Sequence, residues 1–305
     1  MTQDPRPDPL VAPLREDTVS GAALVARTAA DVMRRAAIRI QAGSLEEFRW
    51  GLGQVALQVL DAQPSMAPLV TLLQDVLSAL EGADTLEHAR HAAASAAEDF
   101  QAGLDERSAA VARHAADVLP TKGMIATISS SSTVRATLLA ARPERVLCFE
   151  SRPMDEGRSL AEALAKEGIP VTYAVDAAAY SLVPGCSAVL LGADSIGDRG
   201  VVNKIGSAML VLAATAAAVP VHVLCDGTKV LPVGFPQVVE DDRPGREVWG
   251  APEGVTVWNR YFEVIPLELV TRVVTEEGTL TPGKLEAARA GIPFPDFLKR
   301  WAEGR

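Results

Sequence analysis

The chain has 305 residues, 48% hydrophobic and 22% charged, with a net charge of −10 and only 5% aromatic side chains. That length suits two domains, and the composition is that of an ordinary globular protein packed on small and branched aliphatics. The acidic balance argues against a sequence-independent grip on nucleic acid, so no direct nucleic-acid binding is expected, while a local basic site for a phosphorylated small molecule stays open.

Residues 1–14 (MTQDPRPDPLVAPL) are polar and proline-rich and read as a disordered lead-in without the features of a secretory signal. From residue 15 to about 118 the pattern is helical. Leu24, Val25, Val32 and Met33 mark a first helix, and Ser44 with Glu47 forms a capping box for a second, whose stripe is Phe48, Leu52, Val55, Ala56 and Val59. Pro64 and Pro68 precede a third helix over 69–80, and Asp84 with Glu87 caps a long alanine-rich fourth. His88 and His91 stand three apart without a third ligand in reach, which predicts a solvated helix face and no metal site.

After Pro120 short apolar runs alternate with helical stretches. The runs 124–128, 146–149, 171–175, 188–191 and 221–225 predict strands, and 132–141, 156–167 and 203–218 predict helices between them. This alternation implies βαβ units and a parallel sheet. Residues 255–257, Val264 and 270–274 are expected to finish that sheet or its edge, and 240–252 to form a charged surface loop. The division is therefore a lead-in over 1–14, a helical domain over 15–118 and an α/β domain over 119–305. The longest apolar run, 208–221, is too short to span a bilayer, so no membrane association is expected. Cys148, Cys186 and Cys225 are odd in number and widely spaced, which predicts buried reduced thiols and a cytoplasmic protein.

Candidate site residues fall at the carboxyl ends of the predicted strands, where open parallel sheets bind ligands. Ser129, Ser130, Ser131, Ser132 and Thr133 lie between a strand and an alanine-rich helix. A helix N-terminus favours an anion, and serine hydroxyls add donors without bulk; plain N-capping by one serine is the alternative. Arg152 follows the next strand end, either as a site residue or as a surface arginine, and Asp176 is a helix cap or part of the site floor, the cap being favoured. Asp194 follows the fourth strand, with Asn203 placed to cap a helix and Lys204 to reach a ligand, and Lys229 arrives from the fifth. An acid and two lysines so placed suit an anionic small molecule with one position needing proton transfer.

The segments ESRPMDEGRSLAEALAKEGIPVTYAVDAAA, LLGADSIGDRGVVNKIG, CDGTKV and WNRYFEVIPLELVTRVVTEEG resemble one superfamily over about residues 120–285. It comprises the regulatory subunits of translation initiation factor 2B, the methylthioribose-1-phosphate isomerases and the ribose-1,5-bisphosphate isomerases. The resemblance implies a helical N-terminal domain followed by a Rossmann-like parallel-sheet domain, a homodimer or higher homo-oligomer, and no cofactor. It implies Asp194 as the acid that helps convert an aldose 1-phosphate to a ketose 1-phosphate. Asn203, Lys204, Lys229 and the serine loop would make the phosphate and sugar contacts, with Gly21 and Ala22 from the helical half.

Two departures stand out. Ser129 and Ile128 occupy positions where the isomerases carry cysteine and usually histidine, and a serine cannot act without an adjacent base. In Val19-Ser20-Gly21-Ala22, Ser20 stands where the isomerases tend to carry arginine. Three functions are then expected in order: a binding protein for a phosphorylated sugar or nucleotide, an active isomerase relying on Asp194 with Ser129, and a structural subunit with a vestigial site.

Overall fold

The computed structural model describes residues 8–17, 20–120, 122–239, 242–294 and 296–303. The chain divides into two compact units, 1–106 with 293–305 and 107–292.

The first unit is helical: α1 (Ala12–Glu16), α2 (Ala22–Arg39), α3 (Leu45–Ala62), α4 (Ala67–Ser78) and the first two thirds of α5 (Leu86–Ala116). Each helix buries one stripe, as the 3.6-residue period requires: Val25, Val32 and Met33 on α2, and the expected Phe48, Leu52, Val55, Ala56 and Val59 on α3. Leu24, expected with them, is exposed. Ser44 caps α3 by accepting from the Glu47 amide at 3.1 Å, while the Glu47 carboxylate accepts from Gly43 N at 2.8 Å. The cap of α5 is Thr85, not Asp84: its hydroxyl accepts from the His88 amide. His88 and His91 are exposed, and among the described residues no group of three or more His, Cys, Asp or Glu could hold a metal.

Two boundaries differ from expectation. Residues 9–16, read in part as disordered lead-in, form a helical turn and α1, because Val11 and Leu14 bury completely and Asp8 caps the turn. Residues 1–7 lie outside the described residues. At the other end, α11 (Asp296–Glu303) belongs to the helical unit, where Trp301 Nε1 donates to Asp61 at 3.0 Å. The break near residue 118 falls instead at 106/107, inside α5, since Val111 and Ala115 join the core of the second unit.

That second unit is built on β1 (Met124–Ile128), β2 (Arg145–Phe149), β3 (Val171–Ala174), β4 (Ala188–Leu191), β5 (Ser195–Gly197), β6 (Gly200–Lys204), β7 (Val221–Leu224), β8 (Phe262–Ile265), β9 (Arg272–Thr275) and β10 (Gly278–Leu280). Its helices are α6 (Ser132–Ala141), α7 (Glu156–Lys166), α8 (Ala179–Leu182), α9 (Ser207–Ala216) and α10 (Pro282–Arg289). Seven strands form one sheet in the order β10-β9-β7-β4-β1-β2-β3, parallel except for β10. The central strands are apolar on both faces, as a sheet covered on both sides demands: Ile125, Ala126, Val146, Leu147, Val189, Leu190 and Val223 are all buried. The doubly wound order places loops of β1 and β4 beside each other at the carboxyl edge, where the winding reverses.

A second, three-stranded antiparallel sheet, β5-β6-β8, was not anticipated. Residues 203 and 204, expected at a helix start, close β6, and α9 begins only at Ser207. The N-cap is Gly206, held at φ +95°, where a Cβ would meet Ile128 Cδ1 at 2.9 Å. Val264 lies in β8 of the small sheet, and 255–257 form no strand.

Candidate functional site

Three strand ends of the large sheet are tied together by side chains. After β1, Ser129 turns into the left-handed region at φ 69°, and its amide donates to Ser151 Oγ at 2.5 Å. Ser151, also left-handed and fully buried, donates its amide to Asp176 Oδ1 at 2.9 Å, and Arg152 N donates to Oδ2 at 2.8 Å. Asp176 therefore does not cap a helix; its carboxylate holds the turn after β2. Arg152 is half exposed and turns to Val248 O and Asp155.

The serines divide their work. Ser131 is the N-cap of α6, accepting from Val134 N at 3.3 Å. Ser130 is exposed and accepts from Ser159 Oγ at 3.1 Å, and Ser132 is exposed in the first turn. Thr133 is buried, so its side chain faces the core. The Ser132 and Thr133 amides are among the first four of α6, which by helix geometry have no intrahelical acceptor. Gly192, at the end of β4, packs so closely on this turn that a Cβ would lie 2.7 Å from Ser131 Oγ.

Beyond Gly192 comes Asp194, anchored through its amide to Val202 O at 2.9 Å. Burial pushes its carboxyl above the usual range; Lys229 and then Lys204 pull it down, and Glu156 adds to the rise. The bridge between Ile196 and Val230 sets Lys229 beside this segment. Both lysines are buried. Lys204 pairs with Glu156 Oε1 at 2.5 Å and lies 5.0 Å from the ring centres of Tyr261 and Phe262. Glu156 Oε2 is buried without a hydrogen-bond partner. Asn203 spends its amide on Ser207 Oγ at 2.9 Å, and Ser207 donates to Lys204 O at 2.6 Å.

The N-terminus of α9 is already filled. Glu263 accepts from Ala208 N at 2.8 Å, with the Gly206 and Ser207 amides also turned to it. At α7 the first helical residue is Glu156, which pairs with Lys204, whereas the first turn of α6 carries no acid.

No thiol compensates for Ser129. Burial pushes Cys148 and Cys225 up to about 12 and Cys186 to about 11, so all three stay protonated near neutral pH. Sequence reasoning missed Ser151, Glu156 and Tyr261; an acid in the first turn of a helix, as Glu156 is in α7, carries no signal of its own. Gly21 and Ala22 lie in the helical unit as N-cap and first residue of α2, and Val19 is outside the described residues. A cavity of about 780 Å³ in that unit, lined by Trp50, Leu57, Leu77, Leu80, Phe297 and Trp301, contains none of the expected site residues.

A doubly wound α/β unit with an acid and two buried lysines at its strand ends, accompanied by a helical unit, defines the class of this protein. The chain belongs to the initiation factor 2 subunit family, whose profile matches residues 18–282. A ribose 1,5-bisphosphate isomerase of Haloterrigena turkmenica is 31% identical over 285 residues, covering 87% of this chain and 86% of that protein. A methylthioribose-1-phosphate isomerase of Nostoc punctiforme is 30% identical over 297 residues, covering 88% and 84%. The translation initiation factor eIF-2B structure of Pyrococcus horikoshii OT3 superposes with a TM-score of 0.76 at 27% identity, covering 90% of this chain and 96% of that one. No described helix is long and apolar enough to cross a membrane.

Proposed function

We propose that the chain binds a phosphorylated sugar at the carboxyl edge of its large sheet. The observation that carries this reading is the burial of Lys204 and Lys229 around Asp194. Burying charge is costly unless partners satisfy it, so the arrangement suits a site that receives an anionic, hydroxyl-rich ligand. The phosphate is assigned to the open N-terminal turn of α6, Ser130 to Ser132, together with Lys229. Lys204, engaged by Glu156 and two rings, instead sets the charge around Asp194.

The second reading, aldose 1-phosphate to ketose 1-phosphate isomerisation, is favoured by the raised Asp194 carboxyl, which keeps a proton to higher pH than an exposed aspartate. In this reading Asp194 gives that proton to the ring oxygen as the C1–O bond breaks, takes the C2 proton as the carboxylate so formed, returns it to C1 and regains one from the 2-hydroxyl as the ketone forms, without a cysteine. A ³¹P NMR time course with ribose 1,5-bisphosphate and methylthioribose 1-phosphate, beside Asp194→Asn, separates the two. Broadening without turnover supports binding alone. Growth of a ketose 1-phosphate signal that Asp194→Asn abolishes supports the isomerase, and neither change contradicts both.

Self-association as a homodimer or higher homo-oligomer is part of the proposal, supported by exposed Trp249, Val255 and Trp258 in the loop before β8. Light scattering at a monomer mass would contradict it. Three unpaired buried cysteines support a cytoplasmic setting.

A further inference from the structure

Arg289, the last residue of α10, has no exposed surface. Its Nη1 donates to both Glu286 oxygens at 2.8 and 2.9 Å, which already balances its charge from one turn back on the same helix. The remaining donors leave the helix. Nε donates to Leu231 O at 3.0 Å, and Nη2 to Asp198 Oδ1 at 2.6 Å.

Those two acceptors belong to the two segments that carry the charged groups of the site. Leu231 lies two residues beyond Lys229, and Asp198 sits in the turn between β5 and β6, between Asp194 and Lys204. The same segments are zipped along their length. Leu231 N donates to Ile196 O at 2.8 Å, Gly234 N to Asp198 Oδ2 at 2.9 Å, and Gln237 Nε2 to Ser195 Oγ at 3.1 Å and Gly200 O at 2.9 Å. Among the described residues the guanidinium is the one group in this network that bonds both segments from a third element. Its planar fork can satisfy two acceptors in fixed directions at once, which an ammonium on a flexible stem cannot.

We propose that Arg289 is a positioning residue of the strand-end site: by bonding Leu231 and Asp198 together it fixes the separation of the Lys229 ammonium from the Asp194 carboxyl. The inference rests on the phosphosugar reading above. Coulombic coupling and charge-assisted hydrogen bonds both fall with distance, so a slack lysine would lose its hold on both the carboxyl and the phosphate.

The test is a double-mutant cycle between Arg289→Lys and Lys229→Met, read as the dissociation constant for ribose 1,5-bisphosphate by calorimetry, with urea unfolding as the check on folding. With Lys229 present, Arg289→Lys is expected to weaken binding by about tenfold, and with Lys229→Met to weaken it no further. It also moves the Asp194 titration, followed by carboxyl ¹³C NMR, to higher pH, because Lys229 recedes while Lys204 and Glu156 stay. Equal losses in both backgrounds would make Arg289 merely structural and overturn the inference. Should Arg289→Lys fail to fold, Asp198→Asn takes its place in the cycle, with the same two outcomes. Unchanged binding in Lys229→Met alone would overturn the phosphosugar reading and the inference with it.

Discussion

The helical unit and the sheet unit handle charge in opposite ways. In the helical unit Arg27 pairs with Asp105 and Arg34 and Arg35 with Asp31 at the surface, while Arg90 reaches the Ala37 and Ile40 carbonyls. Its buried polar side chains, among the described residues, are the neutral Gln63 and Ser65. The sheet unit buries Lys204, Lys229, Asp226 and Arg289. Surface pairs contribute little and cost little, whereas each buried charge demands a built environment. The unit that accepts this cost is where ligand chemistry is to be sought.

Breaking the buried pair tests the contrast most severely. Glu156→Gln leaves the Lys204 ammonium without its carboxylate, and a loss of about 3 kcal/mol is expected in urea unfolding. Arg34→Gln, at the exposed Asp31 pair, is expected to cost about 0.5 kcal/mol by the same assay. Similar losses at the two places would remove the distinction between the units.

On the proposed phosphosugar reading, Lys229→Met removes one charge-assisted contact to phosphate, worth about 2 kcal/mol, so affinity for ribose 1,5-bisphosphate should fall about thirtyfold by calorimetry. Asp194 sharpens the comparison through pH. Its folded carboxyl lies above the unfolded value of 3.8, so the unfolded state gives up the proton first as pH rises. The wild type loses that contribution as pH climbs through the folded value, and the stability of Asp194→Asn relative to wild type should grow over the same range. Denaturation midpoints followed upward in pH from the unfolded value check the sign. In the helical unit Ser44→Ala removes the α3 cap and should cost about 1 kcal/mol without altering ligand affinity.

Legibility in the sequence followed the range of the interactions. The strands β1 and β4 and the helix α6 were readable to the residue, since an unbroken apolar run or a serine N-cap is a local signal. The small sheet was not. Its β5 has three residues, and β6 pairs with β8 about sixty residues later, so nothing near Asn203 and Lys204 announced a strand. That Asp194 and Lys229 follow strands was legible; the strand that Lys204 closes was not, and neither were the partners that set these charges. Glu156 sits where helices ordinarily carry an acid, and Tyr261 comes from a distant loop. Asp176 misled for the same reason: a local cap was plausible, and the Ser151 turn it holds is twenty-five residues away.

The most direct measurement follows backbone amides and tryptophan indoles by ¹⁵N–¹H NMR during a titration with ribose 1,5-bisphosphate. The account predicts saturable shifts at Ser130, Ser131, Ser132, Thr133 and Gly192, with the Trp50 and Trp301 indoles of the helical cavity unmoved. Shifts confined to Trp50 and Trp301, or none at the serine turn, would contradict it.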